Sequence, residues 1–251
     1  MQKSNLRLSA MKFKQRVVST YSKGGFFHLL LKSAQVFFRE IRNLFYPLFL
    51  NILPNKKFHF NGEELKYFYH CYNTTWVNER VVEAPIAINF VKKHKGKRIL
   101  EIGNVLNYYS PFPHDVVDKY EIAPGVINED VVDFKPAQKY DLIISVSTME
   151  HVGWDEAPRQ PENLLLGFDN LLKNCLADGG KIVATMPLGY NLELDQFLKN
   201  GQLKFSQEYF LKRISKNNFW EPAIKDEALK MKYGFPFPNA NAVIIGILAR
   251  Q

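Results

Sequence analysis

Cysteine is scarce: the 251 residues contain two, Cys71 and Cys175, with no CxxC pair and no Cys/His cluster around either. That excludes a disulfide framework and a structural zinc site, and it makes a reducing cytoplasm the expected compartment. Long apolar runs are missing from the region where they would matter most. Between Gly25 and Pro54, dense in large apolar residues, the longest uncharged run is Asn43 to Asn55, 13 residues interrupted by Pro47. A membrane-spanning helix needs about 20. The G-x-G-x-x-G fingerprint is absent as well, which argues against a dinucleotide-dependent dehydrogenase. No internal repeat is visible, and 14 Gly with 13 Pro exclude collagen-like and low-complexity classes. Asn73-Thr74-Thr75 matches the glycosylation sequon and, without a secretory signal pattern ahead of it, reads as chance.

Acid is lacking in one part of the chain. Residues 1–60 carry eleven basic residues and a single acid, Glu40, so the formal charge of +8 belongs to this end and the remainder is slightly acidic. A basic field over the whole chain, of the nucleic-acid-binding kind, is excluded, and nucleic acid is not an expected partner. Leu30, Ala34, Phe37, Phe38, Ile41, Leu44, Phe45, Leu48 and Ile52 recur at helical spacing, with Lys32, Arg39 and Arg42 on the other side. Residues 1–57 are therefore expected to form a basic amphipathic helical appendage. It suits an anionic membrane surface, a peripheral location on its inner face, or docking onto the main domain or a second copy in a homo-oligomer.

From residue 58 to 251 the pattern turns to short apolar runs alternating with helical segments, which predicts an α/β domain with a mostly parallel sheet. Val77 to Lys93 reads as a helix with Pro85 as an irregularity. Strands are expected at 98–103, 115–118, around 125–127, at 140–146, at 181–186 and, closing the domain, at 242–248. A helix should run from Pro161 to the Asp178-Gly179-Gly180 break, and Asn191 should cap a second helix that ends at Asn200-Gly201. In such a sheet ligands gather beyond the carboxyl ends of the strands. The residues there are Glu101, Gly103 and Asn104; Asp118 through Glu121; Asn128 to Asp130; Ser147 to His151; and Pro187 to Asn191.

The stretch from Arg98 to Leu188, through ILEIG (99–103), INEDVVDF (127–134), YDLIISVSTMEHVG (140–153) and LADGGKIVATMPLG (176–189), resembles the class I S-adenosylmethionine-dependent methyltransferases. In detail it is similar to methyltransferase-like proteins of bacterial surface-polysaccharide gene clusters. The resemblance implies a Rossmann-like methyltransferase sheet, mostly parallel with an antiparallel last strand, and S-adenosylmethionine as cofactor. Glu101, Gly103 and Asn104 would then line the methionine and ribose side. Asp118 or Glu121 would take the ribose hydroxyls, Asp130 and the Val131 backbone would face the adenine, and Ser147 would lie under the methionine tail. Two departures stand out. The loop after the first core strand keeps a single glycine, and the next two crossovers are so short that their helices must be reduced.

Methyl transfer to a hydroxyl needs positioning and a base, and His151 after the fourth core strand is the candidate, with Glu150 able to replace it or pair with it. Trp154, Tyr190 and Asn191 are candidate acceptor residues, and no metal ligand set is expected. Glu79 and Arg80 on the helix before the first core strand could reach the acceptor side. Tyr67, Tyr69, His70 and Tyr72 form an aromatic cluster, and Phe235 to Pro238 a rigid loop. The expected activity is methyl transfer to an oxygen of a saccharide or surface-glycan precursor; the alternative is a non-catalytic scaffold of the same fold at a membrane.

Overall fold

The structure, a computed structural model, describes residues 56–250. The basic appendage expected over residues 1–57, with its membrane and docking readings, lies outside the described residues except for Lys56 and Lys57. A two-stranded antiparallel hairpin opens the described chain: β1, Lys57–Phe60, and β2, Glu63–Lys66. Helix α1, Arg80–Lys93, follows. The core strands are β3, Ile99–Ile102; β4, Asp115–Val117; β5, Val126–Ile127; β6, Tyr140–Val146; β7, Leu176–Pro187; β8, Gln207–Arg213; β9, Trp220–Ala223; and β10, Ala242–Ala249. Helices α2, Asn163–Asn170, and α3, Leu192–Asn200, flank β7, and the single turn α4, Lys225–Ala228, follows β9.

These eight strands form one sheet in the order β5-β4-β3-β6-β7-β10-β8-β9. The five from β5 to β7 are mutually parallel, while β10 runs antiparallel to both β7 and β8. This is the Rossmann-like methyltransferase sheet expected from the sequence, antiparallel last strand included. Its first helices are indeed reduced. A single 3₁₀ turn, Leu106–Tyr108, lies between β3 and β4, and no helix lies between β4 and β5.

Both faces of the sheet are covered, so its central strands read as continuous apolar runs. On one face Leu100, Ile143, Ile182, Ala184 and Ile244 pack with Leu164, Phe168 and Leu171 of the α2 region and with Leu194 and Leu198 of α3. On the other, Ile99, Leu142, Ile144, Val183 and Ile245 pack with Val81, Val82, Ile86 and Phe90 of α1. Burying each of these larger side chains contributes about 1.5–3 kcal/mol. Phe58, Phe60 and Tyr67 of the hairpin region join the same cluster, and Asn89 donates to Glu63 at 3.0 Å while Lys93 pairs with it, so α1 lies between sheet and hairpin. That is why α1 is apolar nearly all round.

Pro85 does not break α1. A proline cannot supply the N–H that the Val81 carbonyl would take one turn earlier; the Phe68 N–H, 2.9 Å away, takes that carbonyl instead. The helix begins at Arg80 rather than Val77, because a 3₁₀ segment over Tyr72–Val77, with Asn73 and Thr74 at positive φ, precedes it. The Asn191 side chain caps α3 by accepting from the Glu193 and Leu194 N–H groups, and Gly201 ends that helix at φ +74°.

Candidate active site at the carboxyl edge of the sheet

The loops beyond β3, β4, β5 and β6 enclose a cavity of about 490 Å³ lined by Gly103, Asp118, Lys119, Glu121, Asp130, Val131, Thr148, His151, Asp155 and Glu156, among others. That volume lies in the range of small-molecule sites. The cavity exists because the β3 loop can pass close to the β6 loop. Gly103 sits at φ +82°, and a Cβ on it would come within 2.2 Å of the Thr148 Oγ1. The one glycine of this loop therefore takes the left-handed position, and Asn104 is not among the residues with positive φ.

Asp118 organises the floor. Its Oδ1 accepts from the Tyr120 and Glu121 N–H groups, both at 2.8 Å, and its Oδ2 from the Asn104 N–H at 3.4 Å. Glu121 accepts from the Asn104 side chain at 2.7 Å and from the Tyr108 hydroxyl. Across the cavity Lys119 Nζ lies 2.7 Å from Asp130 and 2.7 Å from Glu156. Burial pushes Asp130 upward, but the Lys119 ammonium and the Val132 N–H outweigh it and leave this carboxyl below its usual range.

Three residues predicted to touch the cofactor are engaged within their own chain. Glu101, buried on β3, accepts from the Val105 and Leu106 N–H groups at 3.0 and 2.7 Å and pairs with His114 Nε2 at 2.8 Å. It holds the β3 loop in shape and does not line the cavity. Asn104 acts through Asp118 and Glu121. Ser147, at φ 39°, donates its hydroxyl to both oxygens of Glu83 at 2.8 Å.

His151 and Glu150 share the 3₁₀ turn Met149–His151 at the end of β6. His151 Nδ1 is 2.6 Å from Asp155 Oδ2, and Nε2 is 3.6 Å from Glu150 Oε1. Tyr190 donates to Asp155 at 2.9 Å, and its ring stands edge-on to the His151 ring at 5.0 Å. Asp155 was missed by the sequence reading, although its i+4 spacing from His151 was a usable signal. Of the remaining acceptor candidates, Trp154 stacks under Arg159 at 4.1 Å. Asn191 is spent on its helix cap and on the Glu150 carbonyl at 2.8 Å.

Glu150 is fully buried, and burial, with the Glu83 charge second, pushes its carboxyl well above the usual range. Next to it, on α1, Arg80 pairs with buried Glu83 at 3.0 Å and reaches the Ser147 carbonyl at 3.4 Å. Burial raises Glu83 as well, against the pull of Arg80. Glu83, an acid inside the apolar run Val81 to Ala87, is the second residue the sequence reading missed.

No family model matches the chain, and no curated protein matches it. Among solved structures it is similar to the N-methyltransferase NodS from Bradyrhizobium japonicum WM9 in complex with S-adenosyl-L-homocysteine, at 12% identity over 66% of this chain and 84% of that one, with a TM-score of 0.42. A SAM-dependent methyltransferase from Archaeoglobus fulgidus is 17% identical over 68% of this chain and 94% of that one, TM-score 0.41. The sugar N-methyltransferase KedS8 from Streptoalloteichus sp ATCC 53650 is 10% identical over 69% and 89%, TM-score 0.35.

Proposed function

We propose that this protein transfers a methyl group from S-adenosylmethionine to a hydroxyl oxygen of a saccharide or surface-glycan precursor, with His151 as the base. The observation that carries the reading is the cavity at the carboxyl edge of β3, β4, β5 and β6, which brings Gly103, Asp118, Glu121, Asp130, Val131 and His151 together. The acceptors lining the cavity fit the cofactor. They are rich in carboxylates that accept from hydroxyl and amino groups, as a ligand with a ribose, an ammonium and no phosphate requires. Asp118 and Glu121 are assigned to the ribose hydroxyls, and Asp130 with the Val131 N–H to the adenine edge. When bound, the cofactor supplies an electrophilic methyl group on a sulfonium.

At the acceptor, Asp155 fixes the His151 tautomer through Nδ1, which leaves Nε2 to take the hydroxyl proton. Tyr190 holds Asp155 in turn. The rival reading is a non-catalytic scaffold of the same fold, and one observation favours it: Asp118, Glu121 and Asp130 are each engaged by their own chain, so a ligand must compete for them. Calorimetric titration of the full chain with S-adenosylmethionine and S-adenosylhomocysteine separates the two. The methyltransferase reading expects binding, weakened at least tenfold, or about 1.4 kcal/mol, by Asp118→Asn. It also expects His151→Ala to cut turnover by about 10²-fold or more with cofactor affinity kept. No heat with either ligand leaves the scaffold.

The location assigned to the protein is the cytoplasm, with residues 1–57 as a peripheral membrane address. Among the described residues no helix is long and apolar enough to cross a membrane. Flotation with anionic vesicles, with and without residues 1–57, tests the address.

A further inference from the structure

The turn that carries His151 also carries a carboxyl group that the reaction above does not use. Glu150 is 0% exposed, and neither of its carboxyl oxygens has a hydrogen-bond partner. A buried polar group left without a partner is costly, and a buried charge more so. The Arg80 guanidinium bonds to Glu83 and to the Ser147 carbonyl and makes no hydrogen bond to Glu150. Glu79, which accepts from the Ala240 N–H at 3.2 Å, adds a third acid to the same neighbourhood. Three carboxyl groups around one guanidinium favour the arrival of another cation. Among the described residues no group of His, Cys, Asp and Glu has the arrangement to hold a metal ion, so an organic cation is the better match.

A second feature points the same way. The Tyr190 and Tyr233 rings stand edge to face, 5.4 Å apart at 65°, and His151 stands edge-on to Tyr190. Burial first, then the Asp155 hydrogen bond and charge, and then the Glu150 charge push the Tyr190 phenol up to about 12. Burial, followed by the charges of Glu79 and Glu150, raises Tyr233. A carboxyl group in the neighbourhood of aromatic rings offers acceptors for an ammonium group.

We propose that the methyl acceptor carries a primary amino group, and that Glu150 pairs with its ammonium beside the Tyr190 and Tyr233 rings. This rests on the methyltransferase reading and narrows its substrate to an amino sugar. Glu150 Oε1 and His151 Nε2 are 3.6 Å apart, a spacing suited to an amino group and a hydroxyl on adjacent ring carbons. The hydroxyl to be methylated would then meet His151 while its neighbour meets Glu150. Glu150 is fully buried, so the Met149–His151 turn must move to admit the amino group.

The test is a ligand-observed NMR titration of the full chain, with and without saturating S-adenosylhomocysteine. The probes are 2-, 3- and 4-amino-deoxyhexoses, their N-acetyl forms and the parent hexoses. At least one free amino sugar is expected to bind ten times more tightly than its N-acetyl form and its parent. Glu150→Gln should abolish that preference and Glu150→Asp should keep part of it, with S-adenosylhomocysteine affinity unchanged in both. Equal binding of all three forms, no binding of any amino sugar, or a preference that survives in Glu150→Gln overturns the proposal. Failure of S-adenosylhomocysteine to bind would instead count against the methyltransferase reading, and the titration without it still reports on Glu150.

Discussion

The cavity and the face beneath α1 both depend on carboxyl groups at the same edge of one sheet, yet they hold them in opposite ways. On the cavity side Asp118 and Asp130 stay within reach of solvent, accept from the Tyr120 and Val132 N–H groups respectively, and in Asp130's case share Lys119. Under α1, Glu83 and Glu150 are removed from water altogether. Asp130 is held below the usual carboxyl range, Glu83 and Glu150 above it. One residue class is thus driven two ways by its environment: Lys119 favours the ionised form of Asp130 on one side, and burial favours the neutral forms of Glu83 and Glu150 on the other.

The sharpest way to break this contrast is at Arg80. Arg80→Met leaves Glu83 buried without its partner, which should cost about 3–5 kcal/mol. Chemical denaturation should then show that Glu83→Gln added to Arg80→Met recovers much of the loss, since the double variant removes both charges. If the double variant is no more stable than Arg80→Met, the pair is not what stabilises this face.

Gly103→Ala comes next. The left-handed backbone at φ +82° and the overlap with Thr148 together should cost roughly 2–4 kcal/mol. Thr148→Gly should return the steric part and leave about 1–2 kcal/mol from the backbone. Full recovery would show that the conformation carries no strain.

The central sheet was legible because β3, β6, β7 and β10 are buried on both faces and announce themselves as apolar runs. The hairpin β1–β2 and the pair β8–β9 were not. KFHF and QEYFLKR are half-exposed and mix charge with aromatic residues, and the strand character of β8 comes from pairing with β10, distant in sequence. The site divides along the same line. Positions after strands located Asp118, Asp130 and His151, because topology fixes them. Glu101 and Ser147 occupy such positions too, but their side chains turn to a loop and to a helix, and only tertiary packing decides that. Lys119 lies within the stretch Asp118 through Glu121, but its pairing exists only once Asp130 and Glu156 face each other.

A pH series measures the buried side of the comparison directly. A carboxyl whose folded pKa is raised binds its proton more firmly when folded, so stability is greatest below the unfolded value and falls as pH rises through the folded one. Glu150 therefore predicts that the melting temperature declines as pH is raised above the ordinary carboxyl range. Each unit of separation between the two pKa values is worth about 1.4 kcal/mol. Glu150→Gln should flatten the decline, leaving the shares due to Glu83 and to Asp195, whose carboxyl burial raises to about 6. A decline of unchanged steepness in Glu150→Gln would place the titrating group elsewhere.

The smallest effect belongs to the cavity side. Lys119, Asp130 and Glu156 are partly exposed, and pairs of this kind contribute about 0–1 kcal/mol, so Lys119→Met should leave the melting temperature nearly unchanged. Its consequence should appear in binding. The ammonium occupies the Asp130 oxygen that the proposed adenine contact needs, and removing it frees that acceptor. S-adenosylhomocysteine affinity should then rise a few-fold in calorimetry, and the gain should disappear when Asp130→Asn is added. A fall in affinity would mean that Lys119 itself contacts the ligand, and that both sides of the edge depend on a cation held in place.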